Sequence, residues 1–183
     1  DADFRKLAGD YSKLVQDEAW LFNRCRARLK DAIDRDPKHS SPLAGYNEKG
    51  ELLFEIVDFD DKGITFVTHR GGATGQRVRE WSTISRTQHL ETMKGVMDKD
   101  SSQEQLALAV MAFHRRIAAE LEARAITNDS TKLEKVKTQA KDLKKAFDDC
   151  LNQAVQSDNA ARDRQAAEKA VLEKIAELAI AAQ

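Results

Sequence analysis

Four histidines, His39, His69, His89 and His114, are the side chains of this sequence best suited to acid–base or metal chemistry. A zinc site needs a second histidine or a cysteine at ligand spacing. None of the four has one, and Cys25 and Cys150 are too far apart to form a C-x-x-C pair. Ser82 and Ser85 lack the flanking glycines of a nucleophile elbow. The carboxylate pairs Asp60-Asp61 and Asp148-Asp149 fall in a turn and on a charged helix, where adjacent side chains point apart. His114, beside Arg115 on an amphipathic helix, reads as a boundary residue. The expectation is a noncatalytic protein with no metal and no cofactor.

The stretch nearest to a binding motif is "HRGGATGQR", His69 to Arg77. A phosphate-binding loop needs four residues between its glycines and then Gly-Lys-Ser/Thr opening a helix, so that backbone amides and a lysine converge on the phosphates. Here there is no lysine, and the glycines run into a strand pattern, which fails the dinucleotide fingerprint as well. The loop reads as a hairpin tip. Its cations keep His69, Arg70, Arg77 and Arg79 as candidate contacts for an anion or a partner. Lys62 to Lys99 carries seven Lys and Arg against three acids, whereas Leu43 to Asp61 carries six acids against one lysine. Such polarity steers an anionic partner, or it reflects two halves of one sheet pairing across strands.

The elements around this loop can be read from periodicity. Phe4, Leu7, Tyr11, Leu14, Val15, Glu18, Trp20, Leu21, Cys25, Leu29 and Ile33 recur at mostly three- and four-residue steps, an amphipathic helix that ends near Asp36, before Pro37. Arg24, Arg26, Arg28 and Lys30 are spread around it and read as a solvated face. From Glu51 the pattern changes to "ELLFEIVDF", "GITFVTH" and "QRVREW", three strands of a meander. Leu53, Phe54, Ile56, Ile64, Phe66, Val78 and Trp81 are its inward candidates. Asp60 to Gly63 forms a tight turn in which Gly63 is expected at positive φ. Ser85 caps a short helix carrying Leu90, Met93 and Met97, and Asp100 or Ser101 caps a longer one with Leu106, Val110, Phe113, Ile117 and Leu121 at steps of three and four. Leu133, Val136, Ala140, Leu143, Phe147, Cys150 and Ala154 form a three-four seam, with Leu133, Val136, Leu143 and Phe147 the candidate interaction residues. After a break at "QSDNA", Ala167, Val171, Ile175 and Leu178 supply a matching stripe.

Thirty basic against 31 acidic side chains give a formal charge of -1, which removes the global pull expected of a dedicated nucleic-acid or membrane-surface binder. No apolar run approaches the roughly 18–20 residues of a membrane span, and "DADFRKLAGD" has neither the basic nor the apolar region of a signal peptide. An Asp-Ala-Asp start fits a cleaved export product as well as a trimmed chain, and a bacterial periplasm or envelope is slightly favoured over the cytoplasm. Cys25 and Cys150 lie on apolar stripes and read as buried thiols rather than a disulfide.

The order of a strand ending in "VREWSTIS", a short helix "RTQHLETM" and then "QEQLALAVMAFHRRIAAELEARAI" resembles the small-β plus helical accessory module of planctomycete-type bacterial proteins, kinase-associated or of the envelope. It covers Glu51 to Ile126 and includes the Trp81-Ser82 pair. The resemblance implies a noncatalytic accessory or sensory module and carries over no catalytic residues. No kinase motif is present.

The sequence thus predicts a mainly α protein with a small antiparallel β-meander (α+β). Its parts are an N-terminal helix and linker (1–42), a three-stranded, SH3-like meander (43–82), a helical pair (83–127) and a C-terminal helical hairpin (128–183), expected as one compact domain with a helical extension. The expected role is binding a protein partner or another copy of the chain. Nucleic-acid or polyanion binding through the basic meander, with Phe66 or Trp81 stacking on bases, is the alternative.

Overall fold

The computed structural model describes residues 2–35, 41–70, 73–157 and 161–181. Among these, the elements run α1 (Ala2–Arg35), β1 (Ala44–Tyr46), β2 (Leu52–Phe59), β3 (Gly63–Arg70), β4 (Ala73–Glu80), a 3-10 turn at Trp81–Thr83, α2 (Arg86–Lys94), α3 (Ser102–Ala125), α4 (Ser130–Ser157) and α5 (Ala161–Ala181). The protein is mainly α with a small antiparallel sheet. That sheet has four strands rather than three, in the order β1-β2-β3-β4. The added strand, β1, pairs with β2 over three residues, too short a run to show alternation.

The chain divides into two compact units: unit 1 comprises Asp1–Leu21 and Asp98–Gln183, and unit 2 comprises Phe22–Met97. Helix α1 contributes residues to both.

In unit 1, Ser101 is the cap of α3, its Oγ accepting the Glu104 N–H at 3.3 Å. The Glu104 side chain is buried and accepts the Asp98 N–H at 2.7 Å, so an orphan amide ahead of the helix is satisfied by a carboxylate. Every residue from Glu104 to Phe113 is buried, so this half of α3 is core on all sides rather than along one stripe. Helix α4 packs on α3 with Val136, Leu143, Phe147, Cys150 and Ala154 buried, and the Phe147 ring lies 5.9 Å from that of Phe113. Helix α5 meets both α3 and α4. Its buried residues are Leu172 and Ala176, while Val171 and Ile175 are half-buried and Leu178 is exposed. Among the described residues, burial on α5 is therefore displaced by one residue from the expected stripe. The side chain of Ala167 lies outside the described residues, as do those of Phe4, Leu7, Tyr11 and Leu14 on α1.

In unit 2, Cys25 and Leu29 of α1 are buried, and the Cys25 thiol lies 3.8 Å from the Met93 carbonyl of α2. Phe22, Phe59 and Trp81 meet edge to face with centroids 5.1–6.4 Å apart, and Trp81 stacks on His89 at 3.9 Å. The indole N–H donates to the Asp60 carbonyl at 2.6 Å, giving the half-buried ring a polar anchor. Asp60 shapes the β2–β3 turn, its Oδ1 accepting the N–H groups of Lys62 and Gly63. Gly63 is not at positive φ; among the described residues only Gly50 is. Glycine is needed at 63 for room, since a Cβ there would run into the Arg79 carbonyl of β4. Ser85 forms a full capping box with Gln88 at the start of α2. Three expected inward residues face solvent: Leu53, Phe54 and Val78 are 44%, 42% and 65% exposed. Phe59, not among those candidates, is fully buried.

Candidate functional site

The sheet of unit 2 carries a trough of about 600 Å³. Ile56 lies opposite Phe66, and Phe54 opposite Thr68, so these side chains share one face of β2 and β3 and, with Ile64, form an apolar floor. A β-bulge produces this. Between Ile56 and Asp58 the register slips by one, leaving Val57 unpaired and turning everything before it on β2 to the other face. Leu43 and Ala44 bound one side; Ile84, Gln88, Glu91 and Thr92 bound another. Gly45 lets β1 lie against the floor, for a Cβ there would meet the Phe54 ring.

The polar groups at the trough are mostly committed. His69 Nε2 lies 3.2 Å from Glu55 Oε1, and the second carboxylate oxygen accepts the Ser41 N–H at 3.0 Å. A histidine is thus oriented by a carboxylate that is itself held by backbone, the pairing that acid–base chemistry uses. The two hydroxyls in the lining are donors to backbone carbonyls, Thr68 to Gly75 at 3.2 Å and Thr92 to Gln88 at 2.9 Å. Among the described residues, serine, cysteine and lysine do not line the trough. The arrangement can hold an apolar group and offer it hydrogen bonds at the rim. It does not set a nucleophile beside the histidine.

Of the candidate cations, Arg77 and Arg79 lie on β4, all eight residues of which are exposed. Arg79 stands opposite Ile64 and donates to the Thr83 carbonyl at 3.0 Å; Arg77 stands opposite Phe66. Neither guanidinium meets a carboxylate among the described residues. The Arg70 side chain and the Gly71-Gly72 tip lie outside the described residues. The lining of the trough therefore includes both His69 and Arg79, but only Arg79 and Arg77 stand on the face of its apolar floor; the His69 side chain alternates to the other face, with Glu55. Trp81, taken as available for stacking, is spent on His89 and Asp60. The helical seam lies elsewhere, in unit 1. There Val136, Leu143 and Phe147 are buried in the chain's own core and Leu133 is half-buried, so the seam offers little surface to a partner.

Three constellations have no counterpart in the sequence patterns. Asp58 of β2 receives a two-pronged bond from Arg26 of α1, 2.9 Å on each oxygen, and Lys30 one turn on lies at 3.4 Å. The hydrogen bonds from Arg26, aided by the Phe59 N–H and the charges of Arg26 and Lys30, outweigh desolvation and hold the Asp58 carboxyl below the usual aspartate range; the same bonds raise Arg26. Arg26 and Lys30 thus anchor the sheet rather than forming a solvated face. In unit 1, Glu18 accepts from Arg115 at 3.3 Å and pairs with His114 Nδ1 at 2.6 Å. Glu55, the partner of His69, is the third. Only Arg26 and Lys30, four apart, gave any local hint.

Among the described residues, no three His, Cys, Asp or Glu side chains converge on a metal position, and no helix is long and apolar enough to cross a membrane. Comparison of the chain with protein-family models, curated proteins and solved structures finds no match.

Proposed function

We propose that the protein is a noncatalytic interaction module that receives a protein partner on the sheet of unit 2. The observation that carries this reading is the open apolar trough, with Phe54 of its floor and the neighbouring Leu53 each more than two-fifths exposed. Large apolar side chains left in water beside a concave floor mark a surface that another molecule covers. The spent hydroxyls favour binding over catalysis, since a histidine–carboxylate pair without a nucleophile or a polarising donor has little to act on. An SH3-like role for the meander belongs to the same proposal: two register shifts, at Leu53 against β1 and at Val57 against β3, interrupt β2, and bulges of this kind bend the strand that carries them. So does an accessory or sensory place beside a catalytic partner, as the resemblance implies.

A photoreactive benzoylphenylalanine at position 53 of the full chain, irradiated in extract of the source cells, tests it. The expected result is a discrete protein adduct that Phe54→Arg suppresses without changing the melting temperature. No adduct, or the same adducts from a probe at the equally exposed Val15, would sink the proposal.

A second reading, polyanion or nucleic-acid binding, draws on Arg77 and Arg79 being exposed and having no carboxylate partner among the described residues. It requires steep salt dependence. Fluorescence anisotropy with a labelled single strand at low salt decides it, and no binding is expected at about tens of micromolar protein, a range in which nonspecific contacts already register.

A further inference from the structure

Strand β4 is the last in the sheet order, and among the described residues no strand lies beyond it. Its hydrogen-bonding phase can be derived. In an antiparallel pair, directly opposed residues alternate between exchanging both backbone bonds and exchanging none. The Trp81 N–H donates to the Lys62 carbonyl at 3.2 Å, and the register continues from there through Ile64 opposite Arg79 and Phe66 opposite Arg77. Arg79, Arg77, Gly75 and Ala73 therefore turn their N–H and C=O groups inward to β3. Glu80, Val78, Gln76 and Thr74 turn theirs outward, over a strand exposed along its whole length.

An edge of this kind is a template for another strand. The side chains say which one. Arg77 and Arg79 are two residues apart and so share one face, and among the described residues neither is neutralised by a carboxylate. Val78, 65% exposed, stands on the opposite face between them. A second copy of the chain is a poor fit: two-fold pairing centred on Arg77, Val78 or Arg79 sets arginine opposite arginine, which is unfavourable, and pairing centred on Gln76 sets the arginines opposite Gly75 and Ala73, with no counter-charge. The arginines that repel a copy attract an acidic strand.

We infer that β4 takes an extended segment of a partner protein as a fifth strand, with an acid–apolar–acid alternation that sets two carboxylates opposite Arg77 and Arg79 and an apolar side chain opposite Val78. Backbone bonds supply the grip and the alternation supplies the choice, as in other strand-addition complexes. This deepens the interaction-module reading by naming the partner's chemistry, and it rests on that reading.

The probe is a fluorescein-labelled, antiparallel-competent peptide, acetyl-Thr-Val-Glu-Val-Glu-Val-Thr-amide, titrated with the full chain and read by anisotropy. Saturable binding is expected, lost on replacing both glutamates by lysine. Arg77→Glu should weaken it at least about tenfold. Val78→Pro removes an outward N–H while leaving the ladder to β3 whole, and should weaken it by at least as much with an unchanged circular dichroism spectrum. A control independent of folding uses the unaltered protein. N-methylation of the valines, whose amides face β4, should abolish binding, while N-methylation of the glutamates, whose amides face solvent, should spare it. Equal effects of the two methylations, undiminished binding by Val78→Pro, or no saturation below about 1 mM peptide would overturn the inference. If the photoadduct from position 53 survives Val78→Pro, strand addition fails while the interaction module stands.

Discussion

Asp58 shows how one side chain ties distant parts of unit 2 together. It gathers Arg26 and Lys30 from α1 and the amide of its neighbour Phe59, so removing its charge leaves two cations without their acceptor. Asp58→Asn should cost about 1–2 kcal/mol by urea denaturation, the range for charged hydrogen bonds discounted for partial exposure. The pH dependence has a definite sign. The folded-state pKa of Asp58 lies below its unfolded value, so its stabilisation is complete above the ordinary aspartate pKa of about 3.9. It is lost as pH falls through that value to the lower folded one, because the unfolded chain takes up the proton first. The variant should therefore show a flatter acid limb below about pH 5, and an equally steep limb would refute the assignment. Arg26 shifts upward, so its contribution persists throughout the neutral range. Gly63→Ala tests a second residue, one whose sequence reading failed. A Cβ there meets the Arg79 carbonyl, and about 1–3 kcal/mol of overpacking is expected, where an unhindered glycine at ordinary φ would give nearly none.

Helices were legible as elements because burial repeats at three and four residues along them. Which helix faces which was not. The α4 seam read equally well as half of a terminal hairpin or as a partner surface, and in the protein it closes on α3. Phe147→Ala should accordingly cost about 3–5 kcal/mol, and Val78→Ala, on the exposed strand, no more than about 0.5 kcal/mol. A Phe147 variant as stable as the parent would return the seam to the surface. The sheet teaches the same limit more sharply. The Asp60 turn fixes Phe59 opposite Ile64, and uninterrupted alternation from there would put Glu55 on the face of Thr68, away from His69. The single unpaired residue, Val57, reverses this: it sends Glu55 to His69 and delivers Phe54 and Ile56 to the trough floor. No local composition marks that slip. This is why the strands are legible in the sequence and the site is not, and why alternation alone misplaces Leu53 and Phe54.

At the scale of the whole molecule, a net charge near zero gives no global electrostatic pull, and the core is split between two units. Each unit carries its own buried thiol, Cys25 in unit 2 and Cys150 in unit 1, and neither is in a disulfide. A thiol in such a place reacts only when its surroundings open, so the pair is a built-in two-channel clock for local unfolding. Under pulsed alkylation read by mass spectrometry, Leu143→Ala should hasten modification of Cys150, and Asp58→Asn that of Cys25, each with little effect on the other channel. Matched acceleration of both sites in either variant would mean that the two units open as one, and a ligand held at the trough would then slow the clock in unit 1 as much as in unit 2.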